Sequence, residues 1–167
     1  MKSIRITSVL ANALLAIFGL LQPALSHSGT AQDPWNAAHL QMLPPEIRAD
    51  VKKWDSMCGG TVAAAQRFGL YLTIPSAQFL ALHFDDFRCR NRTVICGAAG
   101  CLHEIYVSTT GRYRRVLSVH AQDVRLLSVH DHAVLEVVDA HGNSSLLRWN
   151  GTRFVGQSGA VSGRSAK

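Results

Sequence analysis

The spacing of apolar positions changes along the chain. Ile47, Val51, Trp54 and Cys58 recur at steps of four, three and four, which sets them on one face of a helix. Glu46, Arg48, Asp50, Lys52, Lys53 and Asp55 fall on the remaining faces. Pro45 stands at the start of this segment and Gly59-Gly60 closes it. Upstream, Asp33-Pro34 reads as a cap followed by proline in the first helical turn, predicting a short helix over 35–42 that Pro44-Pro45 stops. The alanine-rich stretch 61–68, closed by Gly69, predicts one more short helix.

After Ile74-Pro75 the pattern becomes that of short strands. Runs at 79–84, 102–107, 113–119, 124–129, 134–138, 146–149 and 153–155 are apolar or alternating. Thr109-Thr110-Gly111, His141-Gly142-Asn143 and Asn150-Gly151 punctuate them. Asn-Gly is the strongest short hairpin signal, because both residues tolerate positive φ. Turns recur about every ten residues, a spacing that suits an antiparallel meander. The expected fold class is α+β: short N-terminal helices, then an antiparallel β meander forming a curled sheet, a small sandwich or a barrel.

The N-terminus reads as an export signal. Met1 to Arg5 is short and basic, residues 6–21 are mostly apolar, and Ala24 and Ser26 supply the small residues of a cleavage site. Thr7, Ser8, Asn12 and Gly19 interrupt the apolar run, which is shorter than the roughly 20 residues a spanning helix needs. Cleavage after Ser26 removes Lys2 and Arg5 and keeps all eight histidines. The expected organisation is a signal peptide at 1–26, a helical segment at 27–74, a β-rich region of the same domain at 75–156, and a Gly/Ser-rich flexible tail at 157–167. No transmembrane segment is expected after cleavage, and the protein is placed in the periplasm or outside the cell.

That compartment changes the meaning of the cysteines. Cys58, Cys89, Cys96 and Cys101 are an even set in an oxidising space, so they read as two disulfides. Three pairings are open in principle. The preferred one is Cys96–Cys101 across Gly97-Ala98-Ala99-Gly100, with Cys58–Cys89 tying the helical part to the β part. Zinc held by these cysteines with His103 lacks the doubled C-x₂₋₄-C…C-x₂₋₄-C pattern. The six-residue Cys-Gly-Ala-Ala-Gly-Cys run is not the C-x-x-C of a thiol oxidoreductase.

The formal charge of +6 falls to +4 on removal of Lys2 and Arg5, and basic residues cluster in two stretches, Arg88, Arg90 and Arg92, then Arg112, Arg114 and Arg115. If the cysteine loop folds the chain back, the two stretches meet and form a patch for an acidic protein or an anionic envelope component. An exported chain with sparse aromatics among its arginines is not expected to bind nucleic acid. His130, His132 and Glu136 would share one strand face if the chain were extended from 130 to 136, a candidate site for a divalent metal, the one cofactor weighed. Asp131 is equally a turn residue, and a turn there separates them. Asp85, Asp86 and Glu104 are a candidate acid pair only if a cleft brings them together. The chain has no G-x-S-x-G elbow or S-x-x-K motif, and no catalytic residue is assigned.

Cys89, the Cys96-Gly97-Ala98-Ala99-Gly100-Cys101 loop running into a strand, and Trp149-Asn150-Gly151-Thr152-Arg153-Phe154 together resemble a loose group of small uncharacterised periplasmic proteins of proteobacteria. The resemblance spans about half the chain and implies a periplasmic, disulfide-looped β-rich protein. Many members carry an acidic, glycine-containing stretch like a calcium loop before the cysteine loop. Here that stretch is His83-Phe84-Asp85-Asp86-Phe87-Arg88, with two carboxylates and no glycine. Three roles fit these features: a non-catalytic binding or envelope-associated module, a metal-binding protein or metal-dependent hydrolase, and an inhibitor of a secreted enzyme.

Overall fold

The computed structural model describes residues 35–156. The expected export signal, the expected cap at Asp33-Pro34 and the expected flexible tail lie outside the described residues. The fold is α+β with antiparallel sheets. Its elements are α1 (Ala37–Gln41), α2 (Pro45–Cys58), β1 (Ala63–Ala64), β2 (Gly69–Ile74), β3 (Ala77–His83), β4 (Phe87–Arg88), β5 (Cys96–Gly97), β6 (Gly100–Ser108), β7 (Tyr113–Ala121), β8 (Asp123–Val129), β9 (His132–Val138), β10 (Ser144–Trp149) and β11 (Phe154–Gly156).

The first sheet is ordered β2-β3-β6, with β7 and the two-residue β5 also pairing with β6. The second is a meander ordered β11-β10-β9-β8. Neither closes into a barrel. Strands in the first sheet send alternate side chains to opposite faces. Leu80, Leu82, Leu102 and Tyr106 join a core with Ile47, Val51 and Cys58 of α2. Phe79, Ala81, Ile105 and Val107 join a second core with Val124, Ala133, Leu135 and Trp149 of the other sheet. The protein is therefore layered as helix, sheet and sheet, and the first sheet is covered on both faces. β8 touches both β2 and β6, strands separated by β3, so the second sheet lies across the first.

The helix face predicted from periodicity is the buried one: Ile47, Val51 and Cys58 are buried and Trp54 packs on the same core. Gly59 ends α2 in the left-handed region at φ 67°. Two acids on the same helix set its position on the sheet. Glu46 Oε1 accepts from the Tyr113 amide at 2.7 Å, and Asp50 Oδ2 lies 3.3 Å from the Tyr106 hydroxyl. Trp54, Phe68, Phe84 and Phe87 form a chain of ring contacts with centroids 5.2–5.4 Å apart. Each such pair contributes about 0.5–1.5 kcal/mol beyond burial.

The two disulfides are Cys58–Cys89, which fastens the end of α2 to the residue after β4, and Cys96–Cys101, a directly opposed pair across β5 and β6. This is the preferred pairing, and it makes the chain a small disulfide-stabilised protein with no free cysteine among the described residues.

Three local expectations change. The first helix begins at Ala37 under Asn36, whose side chain accepts from the Ala38 amide at 2.8 Å. Residues 61–68 do not form the expected helix. Ala63 and Ala64 pair with Arg88 and Phe87, and only a 3₁₀ turn follows at Gln66–Phe68. A segment this short gains too little from helix propagation to resist burial in a sheet. β structure therefore starts ahead of Ile74, and Gly69–Ile74 is itself a strand joined to β3 through Pro75-Ser76. Finally, Trp149 pairs with Phe154, so Asn150-Gly151 opens a four-residue loop rather than a two-residue hairpin. Asn150 Oδ1 holds that loop by accepting from the Thr152 and Arg153 amides, both at 2.9 Å.

Candidate functional site

The first sheet carries two polar rings where apolar residues would be expected. His83 ends β3 and His103 lies in β6, and they are direct partners in the antiparallel register. Side chains directly opposed on adjacent strands project from the same face. That face is the one carrying Phe79, Ala81 and Ile105, which looks toward the second sheet. His83 is 8% exposed and His103 1%. Their rings meet edge to face, with centroids 5.1 Å apart. The two Nδ1 atoms are 3.2 Å apart, so one ring donates its N–H to the other's lone pair. Both Nε2 atoms are buried and have no hydrogen-bond partner. A buried polar atom left in this way costs about 1–3 kcal/mol.

Phe84 to Asp86 form a 3₁₀ turn directly after His83. The turn anchors through buried Phe84 and leaves Asp85 exposed. One ligand atom from each of His83, Asp85 and His103 can be chosen so that all three lie within 4.8 Å of one another. A cleft of about 340 Å³ opens here between β2, β3 and β8, and its lining includes Leu70, Leu72, His83, Asp85, Asp86 and Asp123.

The surroundings hold both histidines below the ordinary imidazole value. Burial is the main cause for each. Asp85, Asp123 and Asp86 oppose it at His83, while Arg67 reinforces it. At His103 the His83 ring reinforces it, and Asp85, the Ala121 carbonyl and Asp123 oppose it. The pair is accordingly neutral near pH 7, with nitrogen lone pairs available. On the rim, Asp123 is ion-paired to Arg125 at 2.8 Å.

The other sequence candidates are placed as follows. His130 and Asp131 form the two-residue turn between β8 and β9, with φ 47° and 61°. The chain is thus not extended from 130 to 136, and the turn separates His130 from the face that it was expected to share. His132 is exposed at the start of β9, and Glu136 lies four residues along the strand, about 13 Å away at the usual rise. Glu136 meets Arg125 at 3.5 Å instead. Among the described residues, these three do not form a cluster able to hold a metal.

The two arginine stretches do not meet. Arg88, Arg90 and Arg92 lie by the disulfides, with Arg88 over the Trp35 ring and Arg92 Nη2 3.4 Å from Cys96 Sγ. Arg112, Arg114 and Arg115 lie toward the opposite end of β6, because Ser108 pairs with Tyr113 while Cys101 pairs with Ala121. Seven strand residues, about 23 Å, separate those two ends. Arg115 pairs with Glu104, and Arg114 reaches the Thr152 carbonyl at 3.2 Å and lies over Trp149.

Glu104 follows His103 in the strand, so it faces the helix layer, away from Asp85 and Asp86. It is 2% exposed and accepts from the Tyr106 hydroxyl at 2.8 Å. The Glu104, Tyr106 and Asp50 group anchors the helix, and the carboxylates weighed as an acid pair lie on different faces of the sheet.

The histidine pair escaped the sequence reading because its members are twenty residues apart and meet only through strand register. One signal was present: each interrupts an apolar run, in Ala81-Leu82-His83-Phe84 and in Cys101-Leu102-His103. A histidine buried in a two-faced strand needs a partner. No helix among the described residues is long and apolar enough to cross a membrane. No protein-family model matches the chain, and no curated protein and no solved structure is similar to it.

Proposed function

We propose that this chain is an exported binding module that holds a ligand in the cleft between β2, β3 and β8 rather than turning it over. The observation that carries this reading is the floor of the cleft. His83 lines it beside the exposed Asp85, its strand partner His103 lies outside the lining, and nothing in the protein satisfies the buried Nε2 of either ring. Buried polar atoms are nearly always paired, and ligand sites are a recurrent reason for those that are not. Two disulfides brace the surrounding sheet, an economy suited to a periplasmic or secreted chain. The sequence resemblance to small periplasmic proteins of proteobacteria supports the same compartment, where the module associates with the envelope or its contents.

The test is an amide NMR titration of the chain purified from the exported fraction. Probes are divalent metal salts, phosphate, simple amines, monosaccharides and dipeptides. The reading expects at least one probe to move resonances in residues 70–72, 81–86 and 123–127. Shifts confined to the Arg112–Arg115 end, or chemical consumption of a probe at a rate that His83→Gln abolishes, would overturn it.

A further inference from the structure

The ligand atoms of this cleft have a specific chemistry. We infer that His83, His103 and Asp85 form a binding site for a divalent transition-metal ion, of the zinc or copper class. The inference rests on the cleft reading above and assigns its ligand.

The first argument is distance. Zinc is held by imidazole nitrogen at about 2.0–2.1 Å in tetrahedral geometry, which sets two such nitrogens about 3.3 Å apart. The two Nδ1 atoms stand 3.2 Å apart, so the pair already has the edge length of a tetrahedral metal site. The second is the choice of donors. Two neutral imidazoles and one carboxylate suit zinc, copper, nickel or iron, and leave a further position for water or an exogenous ligand. Calcium and magnesium prefer all-oxygen shells, which imidazole does not supply. The third is the split between buried and exposed ligands. His83 and His103 are held by opposed strands and buried, while Asp85 is exposed on the turn at the cleft mouth. Asp85 and His83 line the cleft, and His103 meets His83 outside that lining.

Asp86 and Asp123 also line the cleft, together with Arg67 and Arg125, and Asp123 is paired to Arg125. The Ala121 backbone lies close enough to His103 to act on its titration. In the protein alone, the histidine pair satisfies one N–H with one lone pair and no more. A metal ion at the two Nδ1 atoms uses the lone pairs of both rings at once and leaves each Nε2 as an N–H donor.

The experiment uses the exported chain, stripped with chelator, and zinc, copper, nickel, calcium and magnesium salts as the probes. Calorimetry should give one zinc or copper ion per chain, with calcium and magnesium giving no heat. The ¹⁵N resonances of His83 and His103 should move on zinc addition while those of His132 stay. Asp85→Asn, an exposed change that leaves the fold intact, should weaken zinc about tenfold or more, since loss of even an outer partner costs that much. His103→Gln should abolish binding, with circular dichroism checking its fold. If that variant does not fold, the ring shifts and Asp85→Asn decide. Zinc binding that Asp85→Asn leaves unchanged and His132→Ala removes would overturn the assignment. So would calcium binding as tight as zinc, or no uptake of any of these ions. Loss of metal binding with cleft shifts retained for a non-metal probe would sink this inference alone. Loss of both would take the cleft reading with it.

Discussion

Gly100 offers the sharpest test of how the two disulfide-loop ends are built. It sits at φ +105°, where an L side chain is strained. A Cβ placed there would lie 2.0 Å from the Ala121 carbonyl oxygen, 2.2 Å from its carbon and 2.6 Å from the Gln122 amide nitrogen. All three obstacles are backbone, in the segment where β7 ends against β6, so no side-chain rotation relieves them. A left-handed backbone costs about 1–2 kcal/mol for an L residue. Forcing extra atoms into a packed site costs about 1–3 kcal/mol more, and a backbone obstacle belongs at the upper end. Gly100→Ala should therefore lose about 3–5 kcal/mol. Gly97 is the internal control, three residues earlier in C-G-A-A-G-C. Its φ is not positive and a Cβ there meets nothing within 4 Å. Gly97→Ala should be neutral or stabilise by up to about 1 kcal/mol through the unfolded chain. Urea unfolding of both variants with disulfides intact is the assay. With slopes of about 1–3 kcal/mol per molar, the Gly100→Ala midpoint should fall by at least about 1 M. Equal midpoints for the two variants would show that the close approach of Gly100 to Ala121 is not there.

Further predictions concern the staples, the turn and the helix anchor. Cys58–Cys89 spans 31 residues and Cys96–Cys101 spans 5, so in the chain-entropy account removing the first costs about 3–4 kcal/mol and the second about 2. Paired Cys→Ser variants compared by urea unfolding should show that order, and the reverse would contradict it. Asp131→Gly relieves a left-handed backbone at an L residue and should stabilise by about 1 kcal/mol, seen as a raised Tm. If zinc uptake vanishes in that variant, the turn belongs to a metal site after all. Tyr106 is held well above the ordinary phenol range, first by burial and then by the Glu104 carboxylate. A raised folded value means its stabilisation is complete below the unfolded value near pH 10 and is lost as pH climbs past it. Ultraviolet titration should therefore show Tyr106 forming phenolate only with alkaline unfolding, whereas Tyr106→Phe should remove that step. A phenolate amplitude for all three tyrosines while the protein remains folded would refute the buried placement.

The amino-acid sequence alone determined whatever depends on neighbours in the chain. A buried helical stripe through Ile47, Val51 and Cys58 follows from the 3.6-residue period, and most later strands follow from short apolar runs between turn residues. The disulfide pairing was legible because a six-residue loop rich in glycine leaves the other two cysteines to each other. Where local signals were weak, long-range pairing won. Residues 61–74 carry alanines and apolar residues that fit either state, and partners at 77–88 drew them into strands.

The candidate site belongs wholly to tertiary structure. Spacing along one strand favoured His130, His132 and Glu136, but two positive φ angles at His130 and Asp131 turn the chain there. The arginine stretches seemed able to converge, yet β6 and β7 hold them toward opposite ends. His83 and His103 meet because antiparallel register opposes them across adjacent strands, twenty residues apart in sequence. Register is set by which faces find a core, a sum over both sheets and the helix layer. No window of sequence contains that sum, which is why the fold class could be read from the chain and the site could not.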